Sequence, residues 1–138
     1  MSLSDGSRSA ALPIGAFLAV GGGAAIGAWL RWGIGIWLNQ RWPQLPPGTL
    51  LVNVLGGLLM GLVLAWFDAH PQGSPHSRLF LITGLLGGFT TFSAFSAESL
   101  ALLLRQQYGW AVLHAGGHVL GALLATAAGF ALGRFLNG

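Results

Sequence analysis

Four long apolar segments dominate the chain, and each is close to the length that a helix needs to cross a bilayer. They cover residues 13–38, 48–67, 78–104 and 108–135. A bilayer core of about 30 Å requires about 20 apolar residues in a helix. The connections are short and polar or proline-rich, so we expect successive helices to be antiparallel neighbours. The pattern predicts an all-α membrane protein with one four-helix transmembrane domain, residues 13–138, after a flexible N-terminal tail, residues 1–12.

Composition supports the membrane class and removes several others. The chain is 54% hydrophobic and 7% charged, against about 25% charged residues in soluble domains. Its basic residues are all Arg and lie far apart along the chain, so nothing forms the basic patch that nucleic-acid binding requires. Cysteine is absent, which excludes disulfides, thiolate metal sites and cysteine nucleophiles. No phosphate-binding loop or nucleophile–base motif is present, so the sequence does not predict an enzyme.

The arginines near the span ends give almost no preferred orientation. Arg8, Arg78 and Arg134 lie on one side of the predicted membrane. Arg41 and Arg105 lie on the other side, and Arg31 is near that same end of its span. Arginine and lysine in short loops decide which way a membrane protein inserts. We therefore hypothesise insertion in both orientations and an antiparallel homodimer with a two-fold axis in the membrane plane. The alternative is a weak bias that still fixes one orientation.

The third span is predicted to be broken in mid-membrane. Gly87 and Gly88 precede a run rich in Thr and Ser, and both residue types disfavour a helix interior. Backbone carbonyls released by a broken helix bind ions in transporters. Near the two-fold axis of an antiparallel dimer, facing carbonyls would enclose a small monovalent cation such as Na⁺. The alternative is that these glycines only allow close helix packing.

Two phenylalanines follow the expected break on one helical face. Phe92 and Phe95 stand three residues apart, beside Ser93 and Ser96. The edge of a phenyl ring is positive, so a ring presented edge-on stabilises an anion without a formal charge. The alternative for any such pair is ordinary contact with the core or with lipid.

Polar side chains in the second and fourth spans extend this anion hypothesis. Asn53 is a lone amide within a span, where an unpartnered amide is costly. Its two N–H groups suit an anion, and an interhelical hydrogen bond is the alternative. His118 and Thr126 lie on one face of the fourth span with Ala122 between them, which could continue a line of donors.

Charged residues within the spans have two readings each. Arg31 could raise the anion concentration at a pathway mouth, or simply extend to the headgroups. Glu98 could serve proton-coupled export, or hold the break by accepting hydrogen bonds from freed backbone N–H groups. His114 and His118 have a spacing that is compatible with zinc, yet the sequence places no third ligand nearby.

Three segments together closely resemble the CrcB/Fluc family of fluoride channels. They are residues 27–32 (GAWLRW), 48–53 (GTLLVN) and 87–98 (GGFTTFSAFSAE). The third segment is the specific one, and the resemblance extends over nearly the whole chain. It implies a dual-topology homodimer with two fluoride pores and a central structural Na⁺.

The resemblance also implies roles for individual residues. Phe92 and Phe95 match the fluoride ligands of the pore, Asn53 its asparagine and Arg31 the vestibule arginine. Thr126 matches a hydroxyl of a polar track on the fourth helix. The backbone carbonyls of Gly87 and Thr90 match the sodium-binding positions. Two departures, Ala94 and Ala122, each remove a hydroxyl that the family usually carries.

The expected function is passive, selective export of F⁻ from the cytoplasm by a multi-pass protein of the cell (inner) membrane. The expected pore residues are Phe92, Phe95, Asn53, Ser93, Ser96, Thr126, His118 and Arg31. The expected partners are a second copy and membrane lipids, with no other protein implied. The leading alternative is a small multidrug-type exporter that exchanges protons through Glu98. A non-transporting membrane scaffold is the other.

Overall fold

The computed structural model describes residues 13–138, most of which are helical. The elements are α1 (Ile14–Leu38), a 3₁₀ turn (Asn39–Arg41), α2 (Pro47–Ala69), α3 (Pro75–Arg78), a π-helical segment (Leu79–Leu86), α4 (Gly87–Phe89), α5 (Phe92–Leu104) and α6 (Tyr108–Asn137). The predicted tail, residues 1–12, lies outside the described residues.

The described residues contain four helical spans long and apolar enough to cross a membrane. α1 with its 3₁₀ turn, α2 and α6 form three of them, and the third in chain order, Pro75–Leu104, combines α3, the π-helical segment, α4 and α5. The predicted all-α, four-span membrane architecture is confirmed. α2 and α3 carry proline in their first turn, where a missing N–H costs no helical hydrogen bond.

The closest helix pairs are not those expected from the short loops. α2 packs most extensively on α6, and α1 packs on the π-helical segment and α4. Glycine makes both contacts possible: a Cβ on Gly61 would meet the Thr126 carbonyl oxygen, and one on Gly27 would meet that of Leu85. Small residues let membrane helices approach to backbone contact. Although α1 touches α2 and α5 touches α6, the glycine faces decide the main pairing.

The third span contains two irregular stretches. The segment that follows α3, Leu79–Leu86, is π-helical. This helix type is rare overall, but where it occurs it is often at a functional site. The second stretch lies between α4 and α5, where the backbone is extended at Thr90 (φ −83°, ψ 162°) and Thr91 (φ −152°, ψ 114°). Thr91 then caps α5, since its Oγ1 accepts a hydrogen bond from the Ala94 N–H. The extended residues turn α5 towards α2 and α6 and so position the candidate site.

Candidate functional site

Asn53 of α2 holds the extended backbone at Thr91. Its Oδ1 accepts a hydrogen bond from the Thr91 N–H (2.8 Å), and its Nδ2 donates to the Thr91 carbonyl oxygen (3.0 Å). Nδ2 also lies 3.0 Å from Nδ1 of His118. The two contacts with Thr91 fix the orientation of the amide, since an N–H and a carbonyl need opposite partners. Both amide protons of Asn53 are therefore engaged in this conformation.

The extended residues release two backbone carbonyls from helical pairing. In a continuous α-helix, the Gly87 carbonyl would accept from the Thr91 N–H, and the Thr90 carbonyl from the Ala94 N–H. Here Thr91 donates to Asn53, and Ala94 donates to the Thr91 hydroxyl at 3.1 Å. Gly87 is also exposed on the surface of the chain. Carbonyls of unwound membrane helices bind Na⁺ in transporters, so this donor set fits a monovalent cation.

A cavity of about 340 Å³ lies between α2, α5 and α6 and collects most of the predicted pore residues. Its lining includes Asn53, Thr90, Thr91, Phe92, Phe95, His118, Ala122 and Thr126. The Phe92 and Phe95 rings are 5.3 Å apart between centroids and tilted by 52°. Phe92 is 77% exposed. The cavity therefore joins amide, hydroxyl, imidazole and aromatic groups, and one of its walls is open.

The serines of the third span lie elsewhere. Ser93 and Ser96 are exposed, and neither lines the cavity. Ser96 donates to the Phe92 carbonyl oxygen (2.9 Å), and Ser93 Oγ lies 3.1 Å from Thr91 Oγ1. On α6, Thr126 does line the cavity, although its hydroxyl donates to the Ala122 carbonyl oxygen (2.8 Å). The predicted shared face of His118, Ala122 and Thr126 is confirmed.

A second cavity, of about 370 Å³, includes both charged residues that the sequence placed within spans, Arg31 and Glu98. Asn39 and Thr49 line it as well. Arg31 Nε donates to the Gly88 carbonyl oxygen (3.0 Å), which directs the guanidinium to the end of α4. We call this cavity the vestibule. Thr91 lines both cavities, so the vestibule adjoins the first cavity at the extended backbone.

Glu98 is bound by side chains of two other helices. Its Oε1 accepts a hydrogen bond from Thr49 Oγ1 (2.6 Å), and its Oε2 lies 3.1 Å from His114 Nε2. His114 Nδ1 lies 3.1 Å from Ser99 Oγ, which donates to the Phe95 carbonyl oxygen (2.8 Å). The expectation that Glu98 holds the break through backbone N–H groups is therefore wrong. Asn53 performs that role, because it faces Thr91 from the neighbouring helix.

The structure also supplies the third ligand that the sequence did not place beside the two histidines. Glu98, His114 and His118 each offer an atom within 4.8 Å of those of the other two. The expectation of a histidine pair without a third ligand is wrong, since α5 returns antiparallel to α6 and brings Glu98 level with His114. The sequence did contain one sign of this polar cluster: α2 and α6 each carry two polar residues spaced i, i+4, namely Thr49 with Asn53 and His114 with His118.

The tautomer of His118 follows from its contact with Asn53. Because Asn53 Nδ2 is a donor, Nδ1 of His118 must accept, and the neutral ring then carries its proton on Nε2. A doubly protonated ring would point a donor at a donor. Nε2 is buried and has no hydrogen-bond partner among residues 13–138. His118 thus bears an unused N–H donor at a side chain that is only 5% exposed.

Comparison with known proteins gives a consistent result along most of the chain. Residues 18–130 match the model of the family described as CrcB-like protein, Camphor Resistance (CrcB). Three similar proteins are each named fluoride-specific ion channel FluC. The Thiobacillus denitrificans protein is 57% identical over 88% of this chain and 98% of its own length. Those of Aromatoleum aromaticum and Cupriavidus pinatubonensis are 56% and 54% identical, over 89% and 90% of this chain and 94% and 98% of their own lengths.

Proposed function

The chain belongs to the CrcB family, and from that premise we propose that it is a fluoride-selective channel through which F⁻ leaves the cytoplasm passively. Its similar proteins are named as fluoride-specific ion channels. The observation that carries the proposal is the first cavity, where amide, hydroxyl, imidazole and aromatic groups meet. A small, strongly hydrated anion needs several donors at once, none strong enough to trap it. Neutral groups meet that requirement.

We assign the buried N–H of His118 as a donor for the anion, since it has no partner among the described residues and His118 lines the first cavity. A buried donor without a partner costs about 1–3 kcal/mol, and an F⁻ ion is an acceptor that removes this cost. Asn53 lies beside it, and its Nδ2–H would become a second donor to F⁻ if the hydrogen bond with His118 Nδ1 opens while the ion passes. In the closed contact seen here, Asn53 positions both His118 and the Thr91 backbone. Ser93 and Ser96 would join the pore only through a partner surface, since both are exposed.

Phe92 and Phe95 supply the aromatic part of the pathway. Their rings are tilted against each other, so that they are not stacked face to face, and a tilted pair can present ring edges to a common point. Phe92 is far more exposed than a residue beside a water-excluding pore should be. A second copy of the chain that covers it would complete the wall of the cavity. The proposed antiparallel homodimer therefore has two equivalent pores.

Arg31 and the vestibule form the entrance of the proposed pathway. A fixed positive charge in a cleft raises the local concentration of anions. One guanidinium nitrogen is used by the Gly88 carbonyl, which leaves the remaining N–H groups for passing ions. Glu98 lines the same cavity, where its Oε2 is engaged by His114 Nε2 at 3.1 Å.

The carbonyls of Gly87 and Thr90 are the proposed ligands of a structural Na⁺. They lack their helical N–H partners, and Gly87 is exposed where a second copy can approach. An antiparallel partner would contribute the same two carbonyls. Bound there, Na⁺ would coordinate carbonyl oxygens whose helical N–H partners, those of Thr91 and Ala94, donate elsewhere. The near balance of arginines at the two membrane faces favours insertion of both orientations into the inner membrane.

Fluoride efflux from liposomes that contain Phe92→Ile or Phe95→Ile tests the aromatic ligands. We expect both variants to assemble like the wild type and to lose F⁻ efflux, because isoleucine fills space without a positive edge. Phe135→Ile is the matched control: Phe135 is 82% exposed at the end of α6 and far from the cavity. Wild-type efflux in both pore variants would remove the aromatic-ligand proposal. Proton-coupled uptake that Glu98→Gln abolishes would instead favour the exporter.

A further inference from the structure

We propose that Glu98, His114 and His118 form a binding site for a divalent transition metal, with Zn²⁺ as the best match, and that the bound ion closes the anion pathway. One carboxylate oxygen and one nitrogen of each ring already lie within 4.8 Å of one another. The binding site stands on the geometry alone. Only the closing effect rests on the proposed function.

The ligand set suits zinc. Two imidazoles and one carboxylate are a common zinc ligand set when the fourth position is open. With bonds of about 2.0–2.1 Å, tetrahedral ligands stand about 3.4 Å apart. Contracting the present cluster to that size requires side-chain movements of about 1.5 Å at most, which small rotations provide. His114 and His118 are one helical turn apart on α6, with ring centroids at 4.5 Å, so both rings already share one face.

A metal ion could replace the proton that lies between His114 Nε2 and Glu98 Oε2. Ser99 donates its hydroxyl proton to the Phe95 carbonyl, so it accepts from His114 Nδ1. Nε2 of His114 then faces the Glu98 oxygen at 3.1 Å, and one proton shared by these two atoms must lie between them. A Zn²⁺ ion that binds both atoms releases that proton to solvent, as metal binding to histidine commonly does.

Neighbouring side chains already orient the ligands. Thr49 holds the other Glu98 oxygen at 2.6 Å, and Ser99 holds His114. Such outer contacts fix ligand orientation in known metal sites, and their loss commonly costs 10–100-fold in affinity. Both histidines are buried, at 2% and 5% exposure for His114 and His118, so bound metal would be well shielded from water.

Coordination by His118 explains how a metal would close the pathway. Zn²⁺ at Nδ1 takes the lone pair that now accepts from Asn53. Zn²⁺ at Nε2 needs the ring proton on Nδ1, where it would face the Asn53 donor. Either mode breaks the Asn53–His118 hydrogen bond and puts a fixed divalent charge beside the first cavity. An ion can arrive from the vestibule, which reaches Glu98.

Zinc binding to the purified, detergent-solubilised protein tests the site. Isothermal titration with Zn²⁺ should show saturable binding of one ion per chain, and Co²⁺ in its place should give the intense visible absorption of a tetrahedral site. His114→Gln and, independently, Glu98→Gln should each weaken binding at least tenfold. The matched controls are His70→Gln and His76→Gln, since His70 follows the far end of α2, about 30 Å along the helix from Thr49.

Two results would overturn the site. One is an absence of saturable binding in the wild type. The other is binding that keeps its wild-type strength in both His114→Gln and Glu98→Gln, whether or not His70→Gln or His76→Gln weakens it.

Fluoride efflux measured with and without Zn²⁺ tests the closing effect separately. Zn²⁺ should slow efflux through the wild type, and excess chelator should restore it. Efflux that Zn²⁺ leaves unchanged at saturating occupancy would overturn closure while the site stands. A wild type that binds Zn²⁺ but never conducts F⁻ would overturn the proposed function instead.

Discussion

Replacing Asn53 by alanine removes the side chain that holds the extended backbone of the third span. The change deletes three contacts at once: two with Thr91, at 2.8 and 3.0 Å, and one with His118, at 3.0 Å. Side-chain hydrogen bonds between membrane helices average about 0.6 kcal/mol each. Three of them predict a loss of about 2 kcal/mol, and the unsatisfied groups left behind raise the upper limit to about 5 kcal/mol.

That loss should appear in both stability and conduction. A shift of about 2 kcal/mol changes the equilibrium constant between the present backbone conformation and its alternatives roughly 30-fold, and we expect F⁻ efflux from liposomes to fall by up to that factor. Asn53→Asp separates the contacts, because it keeps the acceptor for the Thr91 N–H but puts an oxygen towards the Thr91 carbonyl and His118. It should therefore also fail to conduct.

The matched control for this prediction is Asn137→Ala. Among residues 13–138, Asn137 donates only to the Gly133 carbonyl oxygen at the end of α6, so efflux and folding should change little. Reversible unfolding in mixed micelles measures the stability, and a fluoride electrode measures the efflux. Wild-type values of both in Asn53→Ala would refute the assignment of Asn53 as the support of the break.

Three further substitutions test other contacts. Gly61→Ala should destabilise the fold by about 1–3 kcal/mol, since its methyl group would meet the Thr126 backbone; Gly116→Ala, which has open space, should be neutral or stabilising in the same unfolding assay. Arg31→Gln should slow efflux most at low ionic strength and least at high salt, where screening hides the charge; equal slowing at all salt concentrations would contradict its role at the entrance. Ala122→Ser adds a hydroxyl to the lining of the first cavity and should speed efflux; no change would show that the pathway avoids this face.

The spans could be predicted from the sequence because bilayer thickness imposes a length that hydropathy reveals directly. The predicted segment 13–38 compares with Ile14–Leu38, and 108–135 with Tyr108–Asn137. The third span begins at Pro75, three residues earlier than predicted. The charge of Arg78 lies in its first turn, so the apolar pattern begins only after that turn. The π-helical form of Leu79–Leu86 had no local signal, because its residues suit an ordinary α-helix.

The sequence allowed the individual residues of the candidate site to be predicted better than the contacts between them. Asn53, His118, Thr126 and the two phenylalanines could be chosen because polar or paired aromatic groups stand out in apolar helices, and the structure gathers them around one cavity. The partners of Glu98 could not be found in this way. They depend on how α5 returns along α2 and α6, and the i, i+4 polar pairs on those two helices mark polar faces without placing either face against Glu98.

The most direct test of the proposed function is efflux from liposomes that contain the purified wild-type protein, followed with fluoride and chloride electrodes in parallel. The arrangement of neutral donors around the first cavity predicts rapid release of F⁻ with Cl⁻ retained. Release of both ions at similar rates, or of neither, would contradict a fluoride-selective channel.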